Sequence, residues 1–234
     1  MSSIFKFKKF EVDQSGCAMK INTDGVLLAA LVENESCVNI LDVGTGTGVI
    51  ALMLAQRFPS ANIHAVEIDE GAATTAARNF QLSIFNDRLK VSHTAIEQFN
   101  HPQQFELIVS NPPYFVNDLR NAEFKKGIAR HTDDEFFKAL IAKVSELLKP
   151  DGSFWFILPV KQAASLIAEA ELYGLKVAKK IQLHSDQTKP PFRWIVRLNR
   201  FGNETENEHF YIYEAEKVYT EAYKALLKDF FLGY

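Results

Sequence analysis

An α/β chain is predicted, with a mostly parallel sheet and helices covering both of its faces. Three features predict it. Strand-length apolar runs alternate with helix-length segments from residue 38 to residue 173. The first of these runs feeds a glycine-rich turn, Asp42-Val43-Gly44-Thr45-Gly46-Thr47-Gly48. A later run, 105–110, ends at Asn111-Pro112-Pro113-Tyr114, a turn that cannot continue a strand.

Ahead of this core, Phe5, Phe7, Phe10 and Val12 fit a short antiparallel hairpin. Asn22-Thr23-Asp24 offers helix-start chemistry, with Thr23 or Asp24 as the cap of an apolar helix over 26–32. Residues 38–43 read as a buried parallel strand and 49–57 as the helix after the glycine turn. A second strand at 62–67 precedes an alanine-rich helix at 71–82. Strands follow at 88–93, 105–110 and 153–158, with a helix at 133–148 between the last two. A helix at 161–173 leads to two strands, 176–183 and 193–200, close enough in sequence to pair antiparallel. Residues 202–208 are polar and read as an exposed loop, and 220–230 as a last helix. The whole is expected to form one domain over 1–234. Within it, 1–32 are a hairpin-and-helix extension and 33–234 the core with its C-terminal strands and helix.

The chain has 234 residues, 47% apolar and 12% aromatic, enough for a substantial core. No apolar stretch reaches membrane-spanning length, and the lysine- and phenylalanine-rich start lacks the apolar core of a signal peptide. A cytoplasmic protein with no membrane partner is expected. Cys17 and Cys37 are too few for a disulfide scaffold, and the six histidines lack metal-ligand spacing, so no metal is expected. The net charge of −3 does not select a partner, but its distribution is uneven. Basic groups stand at Lys6, Lys8, Lys9 and Lys20, at Arg120, Lys125, Lys126 and Arg130, and at Lys179, Lys180, Lys189 and Arg193. A monomer or weak dimer is the expected state.

The two turns carry the chemistry. Gly44, Gly46 and Gly48 allow the backbone to bend closely around a nucleoside ligand without side-chain obstruction. Asp42 can orient the amino-acid end of S-adenosyl-L-methionine, and Glu67, at the end of the second strand, can accept from both ribose hydroxyls. Asp69 competes with or supports Glu67, and Thr94 or Ala95 can border the adenine. At the other turn, Asn111 can accept one hydrogen of an exocyclic amine through its side-chain oxygen, and the Pro112 carbonyl can accept the other. Pro113 restricts the turn, Tyr114 can stack on the acceptor base, and Phe115 can complete the apolar wall. An adenine N6 lone pair is delocalised into its ring, so these bonds would orient it for direct attack on a sulfonium methyl. A base inside RNA would have to leave its stack. Arg120, Lys125, Lys126 and Arg130, with His131, would then hold flanking phosphates.

Further stretches extend the match beyond these motifs. They are Phe5-Lys6-Phe7-Lys8-Lys9-Phe10, residues 19–28, Glu67-Ile68-Asp69, residues 219–223 and residues 229–232. With the two turns, they make the chain resemble the bacterial tRNA1(Val) adenine-37 N6-methyltransferases, a branch of the class I S-adenosylmethionine-dependent enzymes. The resemblance covers nearly the full chain. It implies a Rossmann-like, seven-stranded mixed sheet, six strands parallel and one antiparallel, and methylation of N6 of adenosine 37 beside the valine tRNA anticodon. The cofactor role falls on Asp42, Gly44, Gly46 and Glu67, and the acceptor role on Asn111, Pro112, Pro113 and Tyr114. Lys20 and Thr23 are implied near the catalytic mouth. The rival readings are adenine methylation in ribosomal RNA or DNA, methylation of a protein glutamine amide, which the same turn can grip, and a non-catalytic RNA-binding or assembly role.

Overall fold

The computed structural model describes residues 4–17, 19–33, 37–113, 128–202 and 206–233, with the backbone alone for 128–134. The glycine turn is fed by an interior strand of the main sheet, third from one edge. That strand, β3 (Asn39–Val43), lies between β4 (Asn62–Glu67) and β6 (Phe105–Ser110), parallel to both. Outward on one side comes β5 (Leu89–His93). On the other come β7 (Leu148–Pro159), β9 (Pro191–Asn199), β8 (Lys176–His184) and β10 (Glu206–Tyr211), giving the order β10-β8-β9-β7-β6-β3-β4-β5. Only β9 runs antiparallel to its neighbours in this sheet.

Strand side chains alternate, and each face has its own helices. Ile40, Val109, Trp155 and Ile157 pack beneath α1 (Thr23–Leu31), α2 (Val49–Arg57), α3 (Glu70–Leu82) and α6 (Glu221–Leu227). Leu41, Val43, Ile108, Phe154 and Phe156 face α4 (Ile128–Leu147) and α5 (Val160–Glu171). The expected α/β sheet with helices on both faces is what forms. The β8–β9 antiparallel pair also forms as read.

Ahead of the core, β1 (Ile4–Lys6) and β2 (Glu11–Asp13) make the expected hairpin. It is seated on the far end of the described chain: Phe7 bridges to Phe231, and the Lys8 amide donates to the Phe230 carbonyl at 2.8 Å. A small pair, β11 (Tyr213–Ala215) and β12 (Val218–Tyr219), precedes α6 and was not anticipated.

The described sheet has eight strands, not seven. The extra strand is β10, whose first residues fall in the segment read as a loop. Its sequence is too polar to announce a strand, but it lies at a sheet edge, where polar residues are tolerated. There Lys179, only 5% exposed, meets Glu208 at 2.7 Å, Glu33 at 2.8 Å and Glu206 at 3.6 Å. Burial alone would push the Lys179 ammonium down, but Glu208 and Glu33 outweigh it and hold its pKa above the usual value. The start of α1 also differs from expectation. Asn22 has the extended backbone, and its Oδ1 accepts from the Gly25 amide at 2.9 Å, so Asn22 is the cap and Thr23 the first helical residue. Asp24 instead accepts from Arg193 Nε at 2.8 Å. Among the described residues no helix is long and apolar enough to cross a membrane.

If Lys179 fastens β10, Lys179→Ala should lower stability by about 1 kcal/mol, kept small because its partners are more than half exposed. The urea midpoint reads this, and 1 M salt should shrink the difference between the proteins. An unchanged midpoint would mean that the backbone ladder alone holds the strand.

Candidate active site

Parallel strands bring their carboxyl ends to one edge, so the loops after β3, β4, β5 and β6 are neighbours there. The turn after β3 is pinned to the end of β4. Gly44 N and Thr45 N donate to the Val66 carbonyl at 2.8 and 3.2 Å, and Gly46 N donates to Glu67 Oε2 at 2.8 Å. Gly44, Gly46 and Gly48 have φ of 72°, 57° and 84°, a region in which side chains are strained. Their surroundings divide them. A Cβ at Gly44 or Gly46 would meet no atom within 4 Å and would project into open space beside the turn. A Cβ at Gly48 would lie 2.5 Å from the Phe80 ring. Gly44 and Gly46 therefore keep a cradle clear, while Gly48 lets α2 start against α3.

Asp42 is fully buried below this turn. Its Oδ2 accepts from Thr45 Oγ1 at 2.6 Å, and its Oδ1 has no hydrogen-bond partner. Burial pushes its pKa from an ordinary 3.8 up to about 7; the Thr45 hydroxyl and, from farther off, the Ala51 backbone amide oppose the rise, and the Glu67 charge adds to it. Glu67 Oε1 accepts from the Asp69 amide at 2.9 Å. Each Glu67 oxygen thus carries one backbone donor and keeps a second acceptor site. Asp69 is the N-cap of α3, its Oδ1 accepting from Ala72 N at 2.8 Å. Thr94 and Ala95 are half-buried beyond β5, where Thr94 N donates to the Glu67 carbonyl at 2.9 Å.

Asn111 follows β6, directly beside the turn after β3. Ser110 Oγ donates to the Val43 carbonyl at 2.9 Å and ties the two strand ends together. The Asn111 side-chain oxygen is buried without a partner, while Pro112 is buried and Pro113 exposed. Tyr114, Phe115, Arg120, Lys125 and Lys126 lie outside the described residues. Arg130 and His131 stand in the first turn of α4, described by backbone alone. Lys20 and Thr23 are exposed. The Asp24–Arg193 pair brings the start of α1 to the carboxyl edge over β9, since Arg193 is the register partner of Pro159 at the end of β7.

Two residues with structural roles at the site escaped the sequence reading. One is Ser110. The other is Asn79 on α3, 2% exposed, whose Oδ1 accepts from Asp13 N at 3.0 Å. Its Nδ2 donates to the Asp13 carbonyl at 2.9 Å and the Thr47 carbonyl at 2.8 Å. With Thr75 Oγ1 donating to the Ser15 carbonyl at 2.8 Å, it clasps the segment after β2 to the glycine turn. The available signal was a polar residue on the helix face that carries Ala72, Thr75 and Ala76. The third basic group is not a free cationic patch: Lys179 and Arg193 are in ion pairs, and Lys180 lies 4.7 Å from the Trp194 ring centroid.

Residues 17–182 match the family model described as Methyltransferase small domain. Among solved structures, a predicted O-methyltransferase from Agrobacterium tumefaciens superposes with a TM-score of 0.68 at 20% identity, covering 88% of this chain and 96% of its own. Sheet order, glycine turn and buried strand-end carboxylates define a class I methyltransferase. The chain is 56% identical to a tRNA1(Val) (adenine(37)-N6)-methyltransferase of Pedobacter heparinus over 100% of both chains. It is 37% identical to that of Dyadobacter fermentans over 98% of each. The chain belongs to the tRNA1(Val) (adenine(37)-N6)-methyltransferase family.

The division of the glycines has a measurable consequence. Gly48→Ala combines strain with a clash and should cost about 2–4 kcal/mol of stability. Gly44→Ala should cost only about 1 kcal/mol but weaken cofactor binding. Thermal unfolding and calorimetric titration separate the two, and the opposite ordering would refute the division. Asp42 sets a pH limb in the ligand-free protein. Its folded pKa is raised, so its contribution to stability is full below about pH 4 and lost as pH rises through about 7. The stability of the wild type relative to Asp42→Asn should fall across that window; a constant difference would mean that Asp42 does not titrate there.

Proposed function

We propose that this chain transfers the methyl group of S-adenosyl-L-methionine to N6 of adenosine 37 in valine tRNA. The observation that carries the proposal is the buried, unpartnered Asn111 Oδ1 at the end of β6, one strand from a glycine turn with an open cradle. An unsatisfied buried acceptor is costly, and an amine hydrogen would satisfy it. The relatives' names supply the nucleotide and the tRNA.

The residues present suit the cofactor. Gly44 and Gly46 leave room for close backbone approach, and the lone Asp42 Oδ1 can receive a donor from the amino-acid end. Glu67 retains acceptor capacity for two ribose hydroxyls, with Thr94 and Ala95 bordering the base. The cofactor supplies an electrophilic methyl on a sulfonium, passed by direct substitution without a covalent enzyme intermediate. The chain's work is alignment. Asn111 Oδ1 accepts one N6 hydrogen and the Pro112 carbonyl the other, which turns the nitrogen lone pair toward the methyl. Tyr114 stacks on the extruded adenine, with Phe115 beside it, and offsets part of the unstacking cost. Arg120, Lys125, Lys126 and Arg130 hold neighbouring phosphates, and His131 assists them. We read 1–234 as one catalytic domain with the extension 1–32 folded onto it.

Labelled S-adenosylmethionine and total tRNA from a strain lacking adenosine-37 methylation provide the test. Digestion and mass spectrometry should find the label on N6 of adenosine 37 in valine tRNA. Cofactor binding with label only in rRNA, DNA or protein glutamine would refute the substrate. Asn111→Ala should cut transfer on the order of 10²-fold, comparable to deleting one transition-state hydrogen bond, while cofactor affinity stays within about twofold. Equal losses in both would remove Asn111 from the acceptor role.

A further inference from the structure

A cavity of about 400 Å³ opens on the carboxyl edge between the start of α1 and the strand ends of β8 and β9. Its walls include Thr23, Phe192, Arg193, Tyr213 and Tyr219. It adjoins a second hollow of about 680 Å³, which shares Ser185, Tyr213 and Tyr219 with it. Neither includes a residue of the cofactor or acceptor turns. Arg193 begins the β9 pairing opposite Pro159, and β7 lies next to β6, so β9 is two strands from the strand that carries Asn111. At ordinary strand spacing that is roughly 10 Å across the sheet, and the three-residue offset between Pro159 and Phe156, the partner of Ser110, adds roughly 10 Å along the strands. The cavity therefore lies within a nucleotide or two of the acceptor turn.

Its chemistry is aromatic and nearly neutral. Tyr213 and Tyr219 stack with ring centroids 5.0 Å apart and planes at 22°, and Tyr219 stacks on Tyr223 at 4.5 Å and 7°. Phe192 is 37% exposed, with the Arg193 guanidinium 5.5 Å from its ring. That guanidinium is neutralised: Nε donates to Asp24 at 2.8 Å, and another nitrogen donates to the Phe192 carbonyl at 3.0 Å. In the adjoining hollow three acids, Asp186, Glu214 and Glu216, outnumber the one lysine, Lys217. A phosphate is poorly suited to such surroundings. A flat, uncharged heterocycle with a polar rim is well suited, because an aromatic face can stack on it and the lining also includes Thr23 and Ser185.

We propose that this cavity is a nucleobase pocket that takes an unpaired base adjacent to the methyl acceptor, with Phe192 as its stacking platform. The proposal rests on the RNA-methylation reading above and adds a second point of grip. Extruding one adenine disturbs its neighbours, and a stacking surface one step away receives the base that loses its partner. RNA outside this pocket would align the acceptor less well, so the pocket contributes to substrate choice through single-stranded loop bases.

The test uses the full chain and a valine anticodon stem-loop carrying 2-aminopurine beside the acceptor adenosine. Wild type should change the probe's fluorescence on binding. Phe192→Ala should abolish that change and raise KM for the RNA roughly 5- to 100-fold. Cofactor affinity should be unaffected, and Phe192→Tyr should restore both RNA readouts. If the wild type methylates the RNA and Phe192→Ala leaves KM and fluorescence unchanged, the pocket is overturned and the methylation reading stands. If the wild type binds cofactor but methylates no tRNA, both fall.

Discussion

The site depends on a single backbone union, the pinning of the glycine turn to the end of β4. One carbonyl, that of Val66, takes two successive amides of the turn, and the next residue along β4, Glu67, takes a third through its side chain. Three donors that a tight turn would otherwise leave exposed or unsatisfied are thereby spent on the neighbouring strand. The arrangement fixes how the turn is presented and orients the Glu67 carboxylate with the same bonds. Ser110 extends the union sideways to β6. The glycine turn, the Glu67 carboxylate and the end of β6 that carries Asn111 are consequently positioned by one continuous set of hydrogen bonds, at the edge where parallel strands already converge.

Buried polar groups mark this edge, and they are of two kinds. Asn79, Ser110 and Thr45 have their bonds made within the protein and hold shape. Asp42 Oδ1 and Asn111 Oδ1 do not, and they stand at the ends of β3 and β6, next to the two turns that the sequence singles out. The satisfied set costs the fold little because every donor meets an acceptor. The unsatisfied pair costs the fold local stability, as a buried acceptor without a donor does.

Much of this was legible in the sequence. The helix at 49–57 and the strands at 62–67 and 105–110 stand where periodicity put them, because buried parallel strands must be apolar and the glycine turn punctuates them. Edge structure was less legible. Glu206 to Tyr211 is held by a buried lysine and backbone pairing rather than by apolar burial, so hydrophobic pattern gave no sign of it. The cap at Asn22 was misplaced by one or two residues because three successive residues all have capping chemistry, and only the backbone angles choose among them. Motif reading grouped Gly44, Gly46 and Gly48 together. What separates them is Phe80, a neighbour that only the tertiary fold brings near.

The seating of the hairpin on Phe230 and Phe231 has a temporal consequence. During synthesis β1 and β2 emerge first, but the surface that receives Phe7 and Lys8 emerges only after the whole sheet has been made. Until then the hairpin is tethered by the contacts of Asp13 and Ser15 with α3 and has an open apolar side. Closing so long a loop is among the slowest kinds of contact to form. A nascent chain can therefore have its glycine turn and neighbouring strands folded while β1 and β2 still wait for Phe230 and Phe231, and the join between them forms late.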